Sequence, residues 1–545
     1  MLLYLGLSLY LSTVAAHIFN WTLVQNGTSG IVAIELVPVS PTLMLMFDRT
    51  DEGNALLLPD GTPAWAALWN LDTNTPTALS TLTDTFCASA GFISNGTLVS
   101  IAGNPVRTVP PRPRRPDGNS ALRSHLHLQA PRWYPTALRI PDGSLMVMGG
   151  SSGAGFSNTP DIAENSIEFH PSKESQTRPS QFLVDTMPGN FFPRAFLLPS
   201  GRVFVVANNA SMLYDIESNT ETRLPPIPNG VHVTNPFDGT AQLLPLSPPD
   251  YEATVLVCGG SAVEDDNLPA ASYNQTDPAS DQCARMTLTP EGISQGWTVE
   301  TMPERRILLE SVLLPNGDVI FLNGAHNGYS GYRGVAGSNS TSSNAINPAF
   351  RPILYQTAAP EGSRLTQQGL PESTIPRMYH STASLTGSGA IMIAGSGPTR
   401  SFSVAGTPNV SFPTEYRVEY LQADFTDRPS ILSSPVQILF NESGELEVDI
   451  PASLADGQIQ VSLMDMGFAT HAWHTSSRLV FLEHELNGRT LDITAPPNGN
   501  IYPPGPAWIF VVVDGVYSEG VQVMIGDGGD PPRAAQGVEL QLNSI

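Results

Sequence analysis

The segment DGSLMVMGG at residues 142–150 contains a tight turn, a short apolar strand and a closing pair of glycines. Asp-Gly is a strong signal for a hairpin turn, and the apolar run LMVM has the length of a buried strand. Two further segments repeat the strand and its closing glycine, EATVLVCGG at 252–260 and NGDVIFLNG at 316–324. A unit that recurs along the chain indicates a repeat architecture built from hairpins.

Seven copies of this unit occur in the sequence. They end near residues 48, 103, 150, 208, 260, 324 and 395, and the first copy, PTLMLMFDR at 41–49, is the most degenerate. A spacing of about 50 residues is typical of kelch-type β-propellers, in which each repeat forms one four-stranded blade. We therefore predict an all-β fold, with a seven-bladed kelch-type β-propeller over residues 17–424. An unrelated sandwich with many hairpins is the alternative.

The repeat ends near Asp424, and DRPSILSS at 427–434 has the composition of a linker. Short apolar strands then recur, at 445–450, 458–463, 478–483 and 507–512. Strands of this kind predict an immunoglobulin-like β-sandwich over residues 425–545, although the cysteines of an antibody domain are absent.

Composition excludes several classes of protein. The 545 residues include 26 Lys and Arg against 50 Asp and Glu, which gives a net charge of -24. A nucleic-acid-binding protein needs a basic surface, so nucleic acid is not an expected partner. Hydrophobic residues make up 41 % of the chain, enough for a large core.

The first 16 residues, MLLYLGLSLYLSTVAA, have the apolar run and small closing residues of a secretion signal. The run is shorter than the roughly 20 residues that cross a bilayer, and no later segment is apolar and long enough to do so. A membrane anchor or a core strand is the alternative. Eight glycosylation sequons also fit a secreted, extracellular glycoprotein. They are at Asn20, Asn26, Asn95, Asn209, Asn274, Asn339, Asn409 and Asn441.

Three cysteines would meet an oxidising compartment after secretion. Cys258 and Cys283 are close in sequence, and we predict a disulfide between them. Cys87 is then left over. An odd thiol in a secreted protein is either buried and inert or used chemically.

Four ordered segments bear on that choice: TDTFCASAGF at 83–92, RWYPTALRIPDG at 132–143, RMYHSTASL at 377–385 and GFATHAWHTSSRLV at 467–480. They resemble the motifs of the copper radical oxidases, specifically the glyoxal oxidase branch related to galactose oxidase. The N-terminal segments NGTSGIVAIEL and LMFDRTDEG add to the resemblance, which covers nearly the whole chain after residue 16.

The resemblance implies a role for each of five residues. Cys87 would bond covalently to the ring of Tyr134, and this cross-linked tyrosine would be a copper ligand and carry the radical. Tyr379 would be the axial tyrosine and the base that takes the substrate's O–H proton. His380 and His471 would be the two imidazole ligands of one copper ion. Two imidazoles and phenolate oxygens in a tetragonal arrangement suit Cu(II).

Other histidines are weaker candidates. His474 follows His471 by three residues and is expected to lie beyond the ligands. His125 and His127 alternate on a predicted strand and could pair on a metal, but two solvent-facing strand residues are the favoured interpretation. His17 would begin the mature chain, as in copper monooxygenases with a histidine brace, but those are compact sandwiches.

One departure from galactose oxidase concerns the aromatic group on the cross-link. There a tryptophan follows a Gly-Gly-Ser turn and stacks on the cross-linked tyrosine, whereas Ser152 stands at that position here. We expect the stacking position to be vacant or filled by another aromatic side chain such as Phe156 or Trp133. Arg194 either faces the substrate or lies on the surface.

The resemblance thus implies a secreted oxidase that converts small aldehydes of the glyoxal or methylglyoxal type to carboxylic acids and reduces O2 to H2O2. A primary-alcohol or galactose oxidase with the same copper site is the second hypothesis, and a non-catalytic kelch-type binding propeller is the third. Expected partners are a small aldehyde, O2 and peroxidases that consume H2O2, and the chain is expected to be a monomer.

Overall fold

The computed structural model describes residues 19–50, 53–104, 128–338, 342–408 and 410–533. Within these ranges nearly every regular element is a β-strand, which confirms the all-β class. The helices are short: Gln181–Asp185 and Pro290–Gln295 are α-helical, and Pro228–Gly230, Ala270–Ser272 and Ala452–Leu454 are 3-10 turns. No helix among the described residues has the length and apolar character needed to cross a membrane.

Several sequence predictions fall outside the described residues. They are the signal peptide at 1–16, His17, His125, His127 and the sequons at Asn339 and Asn409.

Seven antiparallel sheets occupy the described residues between 20 and 424, and we number them I to VII. Sheet I consists of Glu35–Ser40, Leu43–Phe47, Ala66–Asn70 and Thr75–Leu79, and sheet II of Ser89–Phe92 and Leu98–Ile101. Sheet III consists of Thr136–Arg139, Leu145–Met148, Ser166–His170 and Arg178–Pro179, and sheet IV of Arg194–Leu197, Val203–Ala207, Ala210–Asp215 and Thr220–Leu224. Sheet V consists of Gly239–Leu243, Thr254–Gly259, Gln282–Thr287 and Thr298–Thr301, and sheet VI of Glu310–Leu313, Val319–Leu322, Ile353–Tyr355 and Leu365–Thr366. Sheet VII consists of Ser381–Leu385, Ile391–Gly395, Arg417–Asp424 and the N-terminal strand Asn20–Thr28. Two small two-stranded sheets accompany them, Val231–His232 with Ser261–Ala262 and Ala325–Tyr332 with Ser343–Pro348.

The repeated sequence unit has one place in this architecture: it forms the second strand of every sheet. The glycines that close the unit let the chain turn where side chains have no room. At Gly150, φ is +96° and an added Cβ would lie 2.8 Å from the carbonyl oxygen of Trp133. The glycine is therefore required where the chain passes the segment that carries Tyr134.

Sheet VII joins the two ends of this region. Strand Asn20–Thr28 pairs antiparallel with Arg417–Asp424, so residues from both ends of the repeat share one sheet.

A hairpin from the C-terminal part of the chain lies among the seven sheets. Its strands, Phe468–Thr470 and Trp473–Thr475, extend sheet I by pairing with Glu35–Ser40. The hairpin also contacts the first strand of each of the other six sheets. Because it touches all seven first strands, we call it the central hairpin.

The remaining C-terminal strands form two sheets. One contains Ser430–Ser433, Ser443–Asp449, His484–Asn487 and Thr490–Thr494, and the other Gln437–Ile438, Ile459–Asp465, Leu479–Leu482, Gly505–Val513, Val516–Tyr517 and Val521–Ile525. The four strands predicted here are confirmed with small shifts of their ends. The predicted linker at 427–434 is partly wrong, because Ser430–Ser433 pairs with Ser443–Asp449 as a strand.

Cys258 and Cys283 form a disulfide, as predicted. They are directly opposite each other on neighbouring strands of sheet V. Cys87 is the free cysteine, and it is buried.

Candidate metal centre

The structure brings all five predicted site residues together. The Cys87 sulfur lies 3.2 Å from Nε2 of His471 and 3.9 Å from Nε2 of His380. The hydroxyl oxygens of Tyr134 and Tyr379 are 3.3 Å apart. The Tyr379 ring lies 3.8 Å from the His380 ring and 5.2 Å from the His471 ring, between centroids. Residues from four distant parts of the chain thus form one compact cluster.

Each of these residues sits just before a first strand or in the turn of the central hairpin. Cys87 precedes Ser89–Phe92 and Tyr134 precedes Thr136–Arg139, each by two residues. The backbone of four of the five is left-handed, with φ of 56° at Cys87, 61° at Tyr134, 65° at His380 and 49° at His471. Non-glycine residues adopt this conformation at a cost of about 1–3 kcal/mol each, and such residues gather at functional sites. The backbone is therefore strained at the cluster itself.

Hydrogen bonds fix which nitrogen of each imidazole is free. Nδ1 of His380 lies 3.0 Å from the carbonyl oxygen of Gly397, which can only accept, so Nδ1 carries the hydrogen. The Thr470 hydroxyl lies 2.9 Å from the Ile34 carbonyl oxygen, and Nδ1 of His471 lies 2.6 Å from the same hydroxyl. Because that hydroxyl donates its single hydrogen to Ile34, Nδ1 of His471 is the donor. Both Nε2 atoms then present a lone pair to the cluster.

Burial keeps these imidazoles neutral. Burial, with help from His471 and Arg49, lowers the pKa of His380 well below its ordinary value. Burial and the nearby Arg194 guanidinium lower the pKa of His471 to about 3. Neutral imidazoles are the form that binds metals.

The phenols are shifted in the opposite direction. Burial, together with the neighbouring Cys87, raises the pKa of both Tyr134 and Tyr379 well above 10. Both hydroxyls are thus protonated at neutral pH unless a cation binds beside them, since a metal ion reverses the local preference.

The donor set fits copper. The three atoms Sγ of Cys87, Nε2 of His380 and Nε2 of His471 all lie within 4.8 Å of one another, and all three residues are buried. Two neutral imidazoles with two phenol oxygens form a nitrogen and oxygen set of the type that Cu(II) prefers.

The aromatic side chain on Tyr134 is not one of the two that the sequence suggested. Phe191 stacks on the Tyr134 ring with centroids 4.9 Å apart and planes 21° apart. Trp133 is near but tilted by 34°, at 5.2 Å. Phe156 is the wrong candidate, because it packs against Tyr273, 5.7 Å away.

Phe192 is a second aromatic residue that the sequence analysis missed. It stacks on His471 with centroids 4.7 Å apart and meets the Tyr134 ring edge-on at 5.3 Å. A signal existed: Phe192 precedes the first strand of sheet IV by two residues, as Tyr134 does in sheet III, and its φ is also positive, at 49°. The repeat therefore places Phe192 in the position that Tyr134 occupies one repeat earlier.

Arg194 does not lie on the surface, so that one of the two earlier interpretations is wrong. The side chain is fully buried and pairs with Asp238 at 2.9 Å. It also donates to the carbonyl oxygen of His471 at 3.3 Å.

His474 does not reach the cluster of ligating atoms. Its ring is buried, neither ring nitrogen has a hydrogen-bond partner, and burial lowers its pKa to about 4. An added Cβ on Gly467 would lie 2.3 Å from its Nε2, so the ring packs against that glycine.

Comparison with known proteins identifies the family. The family model described as "Glyoxal oxidase N-terminus" matches residues 47–425. The chain belongs to the glyoxal oxidase family. A second model, "Galactose oxidase-like, Early set domain", matches residues 428–525. As a member of this family the protein is a copper radical oxidase, which decides against the non-catalytic binding propeller.

Individual relatives agree with this membership. The chain is 32% identical to the aldehyde oxidase GLOX of Vitis pseudoreticulata, over 92% of this chain and 95% of that protein. It is 30% identical to the aldehyde oxidase GLOX1 of Arabidopsis thaliana, over 85% of this chain and 75% of that protein. Among solved structures, a fungal alcohol oxidase of the AA5 family in complex with copper has the same fold, with a TM-score of 0.67 at 17% identity, covering 94% of this chain and 100% of that one.

Proposed function

We propose that this glyoxal oxidase family member is a secreted enzyme that oxidises small aldehydes, as their hydrates, to carboxylic acids and reduces O2 to H2O2. The observation that carries the proposal is the convergence of Cys87, Tyr134, Tyr379, His380 and His471 in one cluster, in which all but the half-buried Tyr134 are buried. The aldehyde oxidases among the relatives support an aldehyde as the substrate.

Four side chains would hold the copper ion: Nε2 of His380, Nε2 of His471 and the phenol oxygens of Tyr134 and Tyr379. When bound, the copper would accept one of the two electrons that the oxidation of an aldehyde hydrate releases. Tyr134, as a radical, would accept the other.

A thioether between Cys87 and Tyr134 would make that radical accessible. Its formation breaks the S–H bond and one ring C–H bond and makes one S–C bond, while O2 takes up two electrons and two protons as H2O2. Sulfur on the ring spreads the unpaired electron and lowers the potential at which the phenol is oxidised. The adjacency of the Cys87 backbone supports the bond: its carbonyl oxygen accepts the N–H of Tyr134 at 3.2 Å.

Tyr379 and Tyr134 would divide the work on the substrate. Tyr379 accepts the O–H proton as general base, and the Tyr134 radical removes the hydrogen on carbon. The 3.3 Å between the two hydroxyls lets one small substrate carbon and its oxygen reach both groups. Phe191, stacked on the Tyr134 ring, and Phe192, edge-on to it, cover that ring and exclude water from that side.

For the fold, the proposal includes a seven-bladed propeller over residues 17–424, with sheets I to VII as blades, and an immunoglobulin-like sandwich over residues 425–545. The shared sheet VII, which would close the ring, and the contacts of the central hairpin with all seven first strands support the propeller. The two sheets of the C-terminal part, whose strands pair mostly antiparallel, support the sandwich.

Secretion, glycosylation, a monomeric state and cooperation with H2O2-consuming peroxidases complete the proposal. The Cys258–Cys283 disulfide supports an oxidising compartment. The side chains of Asn20, Asn26 and Asn441 are exposed, as acceptors of a glycan must be.

A peroxide-coupled assay of the copper-loaded protein tests the substrate class. The panel contains glyoxal, methylglyoxal, a simple primary alcohol and galactose, with His471→Ala as the copper-site control. We expect the highest kcat/KM on the aldehydes and no H2O2 from the control. Faster turnover of the alcohol or of galactose would replace the aldehyde proposal with the alcohol oxidase alternative.

A further inference from the structure

One peptide unit of the central hairpin is held at both of its polar atoms. It joins His471 to Ala472, the two residues between the paired Thr470 and Trp473. Nη2 of Arg194 donates to its carbonyl oxygen at 3.3 Å, and Oε1 of Glu310 accepts its N–H at 2.9 Å. A cationic group thus faces the negative end of the peptide dipole, and a carboxyl group faces the positive end.

The backbone of this turn needs such support. Both residues are left-handed, with φ of 49° at His471 and 58° at Ala472, which is the pattern of a type I′ hairpin turn. Such turns favour Asn and Gly, and neither is present here. Rotating the peptide unit by half a turn would give a type II′ turn, which returns Ala472 to negative φ but puts His471 in a conformation that favours glycine. The sequence of the turn thus suits neither form, and the hydrogen bonds to the peptide unit hold it in the type I′ form.

The two groups that hold the peptide are themselves fixed. Arg194 and Glu310 are the first residues of the first strands of sheets IV and VI, and both side chains are fully buried. Asp238 pairs with Arg194 at 2.9 Å and is held in turn by Asn235 at 2.9 Å. The other carboxyl oxygen of Glu310, Oε2, has no hydrogen-bond partner. The carboxyl group therefore acts on the turn through the hydrogen bond that Oε1 accepts from Ala472.

We propose that Arg194 and Glu310 are positioning residues that clamp the 471–472 peptide and thereby aim Nε2 of His471 at the metal. The inference rests on the proposed role of His471 as a copper ligand. The His471 side chain branches from the Cα at one end of the clamped peptide unit, so loosening that unit lets the turn, and Nε2 with it, shift. The clamp acts on metal binding through the backbone, and neither residue touches the metal.

Copper affinity, measured by competition with a chelator on the full-length apo protein, tests the clamp. Glu310→Leu removes the acceptor, and we expect its copper(II) affinity to fall by about 10–100-fold, the usual effect of losing a group that orients a ligand. Glu310→Gln keeps an acceptor oxygen and should remain within about twofold of the parent. Arg194→Lys keeps the charge beside Asp238 but loses the fork that reaches His471, so its affinity should also fall.

The double variant Arg194→Lys with Glu310→Leu distinguishes a clamp from two separate effects. Both residues hold the same peptide unit, so the double variant should lose no more affinity than the weaker-binding single variant, whereas additive losses would overturn the clamp. The electron paramagnetic resonance spectrum of bound copper(II) should change in the single variants, which a loss of stability alone does not cause.

Glu300→Leu is the matched control, because Glu300 is another buried glutamate that accepts a backbone N–H, from Gly362 at 2.7 Å, and pairs with an arginine, Arg364 at 2.9 Å. It should lower the melting temperature and leave copper affinity at the parent value. If Glu310→Leu does not fold, Arg194→Lys decides, and parent affinity and spectrum in that variant overturn the clamp. A parent protein that binds no copper would refute the proposed function and the clamp together, whereas a parent that binds copper beside variants equal to it would refute the clamp alone.

Discussion

The Cys87 sulfur lies 3.2 Å from Nε2 of His471, although 384 positions of sequence separate the two residues. This contact places the free thiol directly at the candidate copper ligands, where it has two possible uses. It can join the Tyr134 ring as a thioether, or it can bind the metal as a thiolate beside the two histidines.

The first prediction is that copper and air convert the thiol into the thioether. Peptide mass spectrometry of the treated protein should find the Cys87 and Tyr134 peptides joined and lighter by two hydrogens than their sum. Cys87→Ser is the control and should yield two separate peptides. Separate peptides from active parent enzyme, with an intense thiolate-to-copper absorption band, would instead assign Cys87 as a metal ligand.

The second prediction concerns the hydroxyl that sets the tautomer of His471. Thr470→Val removes the acceptor of the Nδ1 hydrogen, which lies 2.6 Å away in the parent. Copper affinity should fall by about 10–100-fold, because ligand histidines depend on the partner of their second nitrogen. The variant also leaves the Ile34 carbonyl without this donor, so we expect about 1–3 kcal/mol lower stability.

Thr470→Ser is the control for this prediction because it keeps the hydroxyl and loses only a methyl group. Calorimetric titration with copper, paired with thermal unfolding, separates the two effects. Equal copper affinity in Thr470→Val and Thr470→Ser would show that the hydroxyl does not govern the ligand.

Local sequence patterns were sufficient for the all-β class, the second strand of each sheet and the disulfide. The five candidate site residues followed from family motifs, since each motif carries at least one of them. Arg194 was misinterpreted because charged side chains are seldom fully buried. Nothing in the sequence around Arg194 indicates that Asp238, 44 positions later, neutralises its charge. The contact of Glu310 with Ala472 was equally invisible, because it joins a sheet strand to a hairpin 162 positions later. Contacts of this kind depend on how sheets assemble, which short-range patterns do not encode.

The third prediction is a pH-dependent loss of stability caused by His474. Burial lowers its pKa in the folded protein to about 4, whereas an unfolded histidine has a pKa of about 6.5. Between these values the unfolded chain binds one more proton than the folded chain, so the contribution of this group to stability is fully present above pH 6.5 and is lost as the pH falls towards 4. At pH 5 the loss should be about 2 kcal/mol.

His474→Leu removes this titration and fills a similar volume without an unpaired polar atom. Urea unfolding of the apo proteins should show the variant gaining on the parent as the pH falls from 7.5 to 5. A constant difference in the free energy of unfolding over that interval would mean that folding does not shift the pKa of His474.

The fourth prediction separates the base from the radical. Tyr379→Phe keeps the ring and its packing beside His380, 3.8 Å between centroids, and removes only the proton acceptor. General-base assistance contributes about 10²–10⁴-fold, so kcat should fall by that factor. The Tyr134 radical should persist, because the cross-link and both histidines are unchanged.

Cys87→Ser should have the opposite signature, since it retains the base and removes the sulfur that stabilises the radical. Optical and spin-resonance spectra of the oxidant-treated variants, recorded beside steady-state rates, make the comparison. Parent-like turnover in Tyr379→Phe, or a stable radical of parent character in Cys87→Ser, would show that the two roles have been assigned to the wrong residues.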